Sequence, residues 1–177
     1  MLIRPGVVAD APAVATLHAA SWRVAYAGML PAEYLAGPMP ADLAARWRTI
    51  LVDALTPGLL VAEDDGELVG FVYLRPMPDG RVLLDNLHAR PGMLGRGIGT
   101  ALIEAGLAWS AREFPDRPVY LEVLRANTAA IAFYEHRGWQ RTDAGIARFD
   151  AGFAVPEYEY TRRQVAPLSK TSPTARS

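Results

Sequence analysis

The sequence predicts a single mixed α/β domain. Three observations carry that reading. The chain has 177 residues, room for one domain. Strand-like and helix-like stretches alternate along it. A glycine-rich turn, Gly95-Arg96-Gly97-Ile98-Gly99, joins a strand to a helix near its middle.

The elements follow in order. Residues 2–4 are a short apolar start, read as an edge strand. Asp10 stands where it can cap a helix through Ala13, Val14, Leu17 and Ala20 to about Tyr26. Gly28 and Pro31 break it. Pro31–Leu35 and roughly Ala41–Ala54 read as helices, the second with Leu43, Trp47, Ile50 and Leu51 at helical spacing and an end at Pro57-Gly58. Leu59–Glu63 and Leu68–Leu74 flank Asp64-Asp65-Gly66, a hairpin signal. Pro76–Gly80 is a second turn and Val82–Ala89 a third strand of this set. After the glycine-rich turn, Ile98, Leu102, Ala105 and Trp109 line one helix face. Val119–Val123 alternates as a strand. Asn127 caps a helix that ends at Gly138. Trp139–Arg141 and Val155–Arg162 complete the sheet, with Asp143–Gly152 read as a turn-rich connection. The domain is expected over residues 1–163. The polar, aperiodic residues 164–177 read as a mobile tail.

Composition narrows the function. Hydrophobic residues make up 51% of the chain and charged ones 21%, the balance of a globular protein with a core. The formal net charge of −1 argues against bulk attraction to nucleic acid or membrane. No apolar run reaches the ~18 residues of a membrane span, and the first ten residues do not read as a signal peptide. The expected compartment is the cytoplasm. There is no cysteine, which excludes a cysteine nucleophile, disulfides and thiolate-bound zinc. His18, His88 and His136 lie far apart along the chain without ligand spacing, so no metal is expected. The only lysine, Lys170, is in the tail, which argues against a lysine-dependent mechanism.

The glycine-rich turn carries the chemistry. A turn entering a helix N-terminus leaves main-chain N–H groups unpaired and pointing outward. Together with the helix dipole they suit a phosphate or diphosphate. A Walker loop needs Gly-Lys-Ser/Thr and finds no lysine here. A dinucleotide fingerprint needs a third glycine where Thr100 stands. A turn that merely lets the helix pack closely on the sheet explains the glycines equally well.

Two longer stretches shift that balance. Leu87 onward reads L-H-A-R-P-G-M-L-G-R-G-I-G-T-A-L, and Leu121–Trp139 reads L-E-V-L-R-A-N-T-A-A-I-A-F-Y-E-H-R-G-W. The first resembles the acetyl-CoA signature of the GNAT family, a Q/R-x-x-G-x-G/A loop between a strand and the main helix. The second is similar to that family's strand, Asn, Tyr-bearing helix and Gly-aromatic. Ile3-Arg4-Pro5, Ser21-Trp22-Arg23 and Tyr26–Pro31 resemble its N-terminal half. The resemblance covers roughly residues 2–162. It implies a single-domain fold with a mixed central sheet of about seven strands, about four flanking helices, and splayed fourth and fifth strands.

It also implies roles. Backbone groups of Leu87, His88 and Ala89 would hold the pantetheine arm of an acyl-CoA. Leu94, Gly95, Arg96, Gly97, Ile98, Gly99 and Thr100 would wrap its diphosphate. Asn127, Ala130, Phe133 and Tyr134 would form the cofactor wall, with Tyr134 as general acid at the sulfur. The family's leading Gln or Arg falls at Leu94, and Arg96 can supply a guanidinium in its place. Some family members carry a carboxylate at the position of Leu83. Here Asp85 is two residues on, expected on the face shared by Leu83 and Leu87, and Glu122 is the other candidate base.

The implied reaction is acetyl transfer from acetyl-CoA, or another short acyl-CoA, to a primary amine of a small molecule or peptide. An ammonium must first lose a proton to a carboxylate or water chain. A homodimer is consistent with the family. A non-catalytic acyl-CoA-binding module and a binder of another nucleotide are the competing readings. Trp22, Tyr26 and Trp47 fit either an acceptor pocket or the core. Trp47 reads as core, and Tyr26 stays open.

Overall fold

The computed structural model describes residues 1–53 and 58–162. The tail expected over 164–177 and the break at Pro57 lie outside the described residues. Seven strands form one sheet in the order β1-β2-β3-β4-β5-β7-β6. They are β1 (Leu2–Pro5), β2 (Gly58–Asp64), β3 (Glu67–Pro76), β4 (Val82–Ala89), β5 (Val119–Leu124), β6 (Trp139–Arg148) and β7 (Ala154–Arg162). The helices are α1 (Ala11–Ala25), α2 (Ala32–Ala36), α3 (Met39–Asp53), α4 (Ile98–Glu113) and α5 (Thr128–Glu135). The expected count of about four helices is met by four longer ones and the short α2.

Alternation along the strands builds two cores. Leu59 and Val61 of β2 and Phe71 and Tyr73 of β3 face α1, α2 and α3, around a fully buried Trp47. Leu60, Ala62, Val72 and Leu74 face α4, where Ile98, Leu102 and Trp109 meet them. Each fully buried aliphatic side chain stabilises by about 1.5–3 kcal/mol. Helix α4 lies close on the sheet at Gly106, where a Cβ would stand 2.7 Å from Leu74 Cδ1.

Two expectations change. Asp10 does precede α1, but its carboxylate makes no cap. It accepts from Arg4 at 2.8 and 2.9 Å and from the Val7 N–H at 2.8 Å. The bidentate guanidinium outcompetes the helix for those oxygens. The connection expected over Asp143–Gly152 is largely strand. β6 runs to Arg148 and pairs with β7 throughout, around a register shift between Arg141 and Asp143. Most of β6 is exposed, so it carries no apolar alternation and its pairing comes from β7.

Strands β4 and β5 run parallel and pair only at Val82↔Val119, Leu83↔Tyr120 and Leu84↔Leu121. Beyond Leu84 they part. β4 continues beside β3 to Ala89, while β5 continues beside β7 to Leu124. A bulge marks the parting: Leu84 faces Leu74 and Asn86 faces Tyr73, so Asp85 has no partner on β3.

Candidate active site

The parted strands expose one edge of β4. Arg90 N–H donates to Val69 O at 2.8 Å, which sets the ladder with β3. Alternation then turns the backbone groups of Leu87 and Ala89 away from β3, toward the gap. Their side chains pack toward α4 and α5. His88 sends its ring to the opposite face, 4.4 Å from the His18 ring and with Nδ1 3.0 Å from Ser21 Oγ. Its side chain therefore lies away from the gap, and its backbone groups face Phe71 on β3, so neither part of the expected cofactor residue His88 reaches the free strand edge.

The loop after β4 leads straight into α4. Gly95 and Gly97 adopt φ of +81° and +78°, the left-handed region that side chains resist. No protein atom lies within 4 Å of a Cβ built at either, so the surface around them is open. Gly97 stands at the N-cap of α4 without any side-chain cap. Among the described residues, no protein oxygen accepts from the main-chain N–H groups of Leu94 to Thr100. The first bond of this region is Ala101 N–H to Gly97 O at 2.9 Å. Seven consecutive donors beside a helix N-terminus form an anion cradle. Leu94 is 77% exposed, so its bulk leaves the cradle open. Gly99 touches the Phe133 ring, which stacks under the Arg137 guanidinium, and Arg137 also donates to Thr100 Oγ1. This pins the end of α5 to the start of α4. Asn127 caps α5, accepting from Ala130 N–H through Oδ1 at 3.2 Å.

Tyr134 is buried in the α4-side core, edge-on to Phe133 and Trp139. Burial, then the neighbouring Tyr26, pushes its phenol well above the ordinary tyrosine range. Tyr26 comes from α1 on the opposite face, where burial raises its phenol to about 12. Tyr26 acts on the Tyr134 phenol from the other face of the sheet, and both phenols stay protonated at neutral pH.

On the α1 and α3 side of the gap lies a cleft of about 1330 Å³. Trp22, Tyr26, Tyr34, Tyr73 and Phe149 supply aromatic wall, and Asp85, Asn86, Glu122 and Glu157 supply polar groups. Asp85 shares the cleft with Leu83, as expected, but Leu87 turns to the other face. The bulge at Asp85 inserts an extra residue and breaks the alternation on which the expectation rested. Asp85 Oδ2 is held by Arg46 at 2.5 Å and Arg75 at 3.5 Å, so the carboxylate charge is already shared with two guanidinium groups. Glu122 is raised above the usual carboxylate range by burial and by Asp85 and Glu159. Glu157 escaped the sequence reading. It lies opposite Leu124 on β7, and burial and Glu122 raise it to about 7. The only sequence signal is the alternation Glu157, Glu159, which looks like an ordinary wet strand face. No cluster of three metal-ligating groups exists among the described residues, and no described helix is long and apolar enough to cross a membrane.

The family sequence model described as "Acetyltransferase (GNAT) family" matches residues 19–139. The chain belongs to that family. This GNAT acetyltransferase is 31% identical over 132 residues to an uncharacterized N-acetyltransferase of Mycobacterium tuberculosis, spanning 74% of this chain and 83% of that one. It is 38% identical over 113 residues to the mycothiol acetyltransferase of Salinispora tropica, covering 60% of this chain and 36% of the relative. Its fold matches the PaiA N-acetyltransferase from Thermoplasma acidophilum, solved in complex with coenzyme A. The TM-score is 0.73 at 22% identity, over 92% of this chain and 98% of that one. The family and fold support an acyl-CoA cosubstrate for this GNAT enzyme.

Proposed function

We propose that this acetyltransferase moves an acetyl group from acetyl-CoA directly to a primary amine that enters from the aromatic cleft. The observation that carries the reading is the row of unpaired amides at 94–100 beside the mouth of the parted strands. The diphosphate takes those amides and the helix dipole, and Arg96 adds a guanidinium. The pantetheine arm lies along the free backbone edge of Leu87 and Ala89. This places the thioester between the Tyr134 phenol and the cleft. Asn127, already occupied at Oδ1, serves first as a cap that holds α5 against the cofactor.

A thioester is activated, so a neutral amine attacks it without a covalent enzyme intermediate. Tyr134 hydrogen-bonds the departing thiolate and delivers its proton. The acceptor is a small-molecule or peptide amine. The mycothiol acetyltransferase relative supports a small molecule, and a cleft with both aromatic and carboxylate lining fits one that carries an amine.

Acetyl-CoA is expected to raise the melting temperature, because it binds the folded state only. A screen of amines that follows thiol release from acetyl-CoA then identifies the acceptor. Absence of any thermal shift with excess acetyl-CoA would overturn the reading.

A further inference from the structure

We propose that Glu157, on β7, takes the proton from the acceptor amine, with Glu122 as the neighbouring carboxylate that readies it. This rests on the acetyl-transfer reading above. Four observations on the cleft carry it.

Glu157 and Glu122 line the same cleft, on strands that are neighbours in the sheet. The neighbouring carboxylates are engaged, Asp85 by Arg46 and Arg75, and Glu159, opposite Glu122 on β7, by Arg81 at 2.9 Å. Among the described residues, neither Glu157 nor Glu122 has an ion-pair partner. A partly buried carboxylate, Glu157, beside an exposed one, Glu122, both without a counter-ion, is relieved by a cationic group between them, and an incoming ammonium is such a group. The remaining charged or titratable groups around the cleft are Tyr26, Tyr34 and Tyr73, Asp42, Arg148 and Asp150. Glu157 is the member of the pair titrating near neutral, from burial and Glu122, where a base works best at neutral pH. Asn86 independently marks the cleft as a polar ligand site. It is 8% exposed, and its Nδ2 finds no partner.

The step balances without a further reactant. The ammonium gives one proton to the Glu157 carboxylate. The freed nitrogen lone pair forms the C–N bond, and the C–S bond breaks with its electrons on sulfur. Tyr134 protonates the thiolate and recovers the second proton lost by nitrogen. Glu157 releases its proton to solvent.

The test compares ethylamine with trifluoroethylamine as probe acceptors, using the full chain and acetyl-CoA. Fluorine leaves the second amine neutral at neutral pH, so it needs no base. Glu157→Gln is expected to slow ethylamine acetylation by about a hundredfold. Its trifluoroethylamine rate and acetyl-CoA affinity should stay near wild type. The wild-type ethylamine kcat/KM should rise through a pH near neutral, a limb that the variant loses and Glu157→Asp partly restores. Equal slowing of both amines would assign Glu157 a structural role and overturn the proposal. A ¹³C-NMR titration of the free protein needs no acceptor. The signal lost in Glu157→Gln should titrate near neutral, and titration in the usual carboxylate range would also overturn it. If acetyl-CoA fails to bind wild type, the acetyl-transfer reading fails instead.

Discussion

At the residue scale, the site depends on a few groups whose surroundings alter ordinary chemistry. Burial and Tyr26 keep the Tyr134 phenol protonated, which its proposed role toward the leaving thiolate requires. Tyr134→Phe removes that hydroxyl and little else, because the ring still fills the same pocket against Phe133 and Trp139. It should lower kcat by about 10²-fold or more while acetyl-CoA affinity stays unchanged. Steady-state kinetics and calorimetric titration check the two halves of that statement. Equal rates for the two proteins would take Tyr134 out of the mechanism. Glu157 differs in kind. Its value lies in ionising within the working pH range, and that depends on Glu122 across the β5–β7 ladder.

At the element scale, the start of α4 and the end of α5 are built as one unit. The cradle sits on α4, and Arg137 ties α5 to it through Thr100 and the Phe133 ring. The Asn127 cap sets where α5 begins, and thereby where Tyr134 stands about two turns later. Asn127→Ala should cost about 1 kcal/mol of stability, the usual value of a lost N-cap. Asn127→Ser should recover most of it. A denaturant titration of both variants, beside their acetyl-CoA affinities, separates capping from any contact to the cofactor. Affinity that falls in both variants although Ser restores stability would show that the amide touches acetyl-CoA. The bulge in β4 acts on the same scale. It turns Asp85 and Asn86 to one side and lets β4 leave β5 while keeping its ladder with β3.

At the scale of the whole molecule, His18 and His88 join α1 to β4 in the core. Trp47 Nε1 donates to His18 Nδ1 at 3.0 Å, so the His18 proton sits on Nε2. Burial lowers both imidazoles, His88 to about 3, and keeps them neutral. The unfolded chain takes up protons as pH falls below ~6.5, whereas folded His88 does so only near pH 3. Its share of stability is therefore complete above pH ~6.5 and declines as pH falls toward 3. Glu157 works in the opposite sense, because its folded value is raised and protonation favours the native state. His88→Asn should accordingly remove one downward component. Plotted against pH, the urea midpoint of the variant should fall less steeply below pH 6.5 than that of wild type. Parallel curves would show that His88 is not held neutral.

Most of the framework and the glycine-rich entry to α4 were legible in the sequence. Hydrophobic periodicity placed β4 at Val82–Ala89 and the start of α4 at Ile98, because local alternation and a glycine-rich entry are short-range properties. Local pattern also identified the amide row, since glycines at 95, 97 and 99 leave a helix start uncapped. Tertiary structure alone decided the acid–base side of the cleft. The face of Asp85 depends on a bulge that exists only against β3, and its engagement on Arg46 and Arg75 from other elements. Glu157 gains its character from packing beside Glu122 on β5, and His18 meets His88 across 70 residues of chain. A charge or a ring in isolation carries its ordinary properties. Burial and neighbours distant in sequence change them, and those are set only when the sheet has closed.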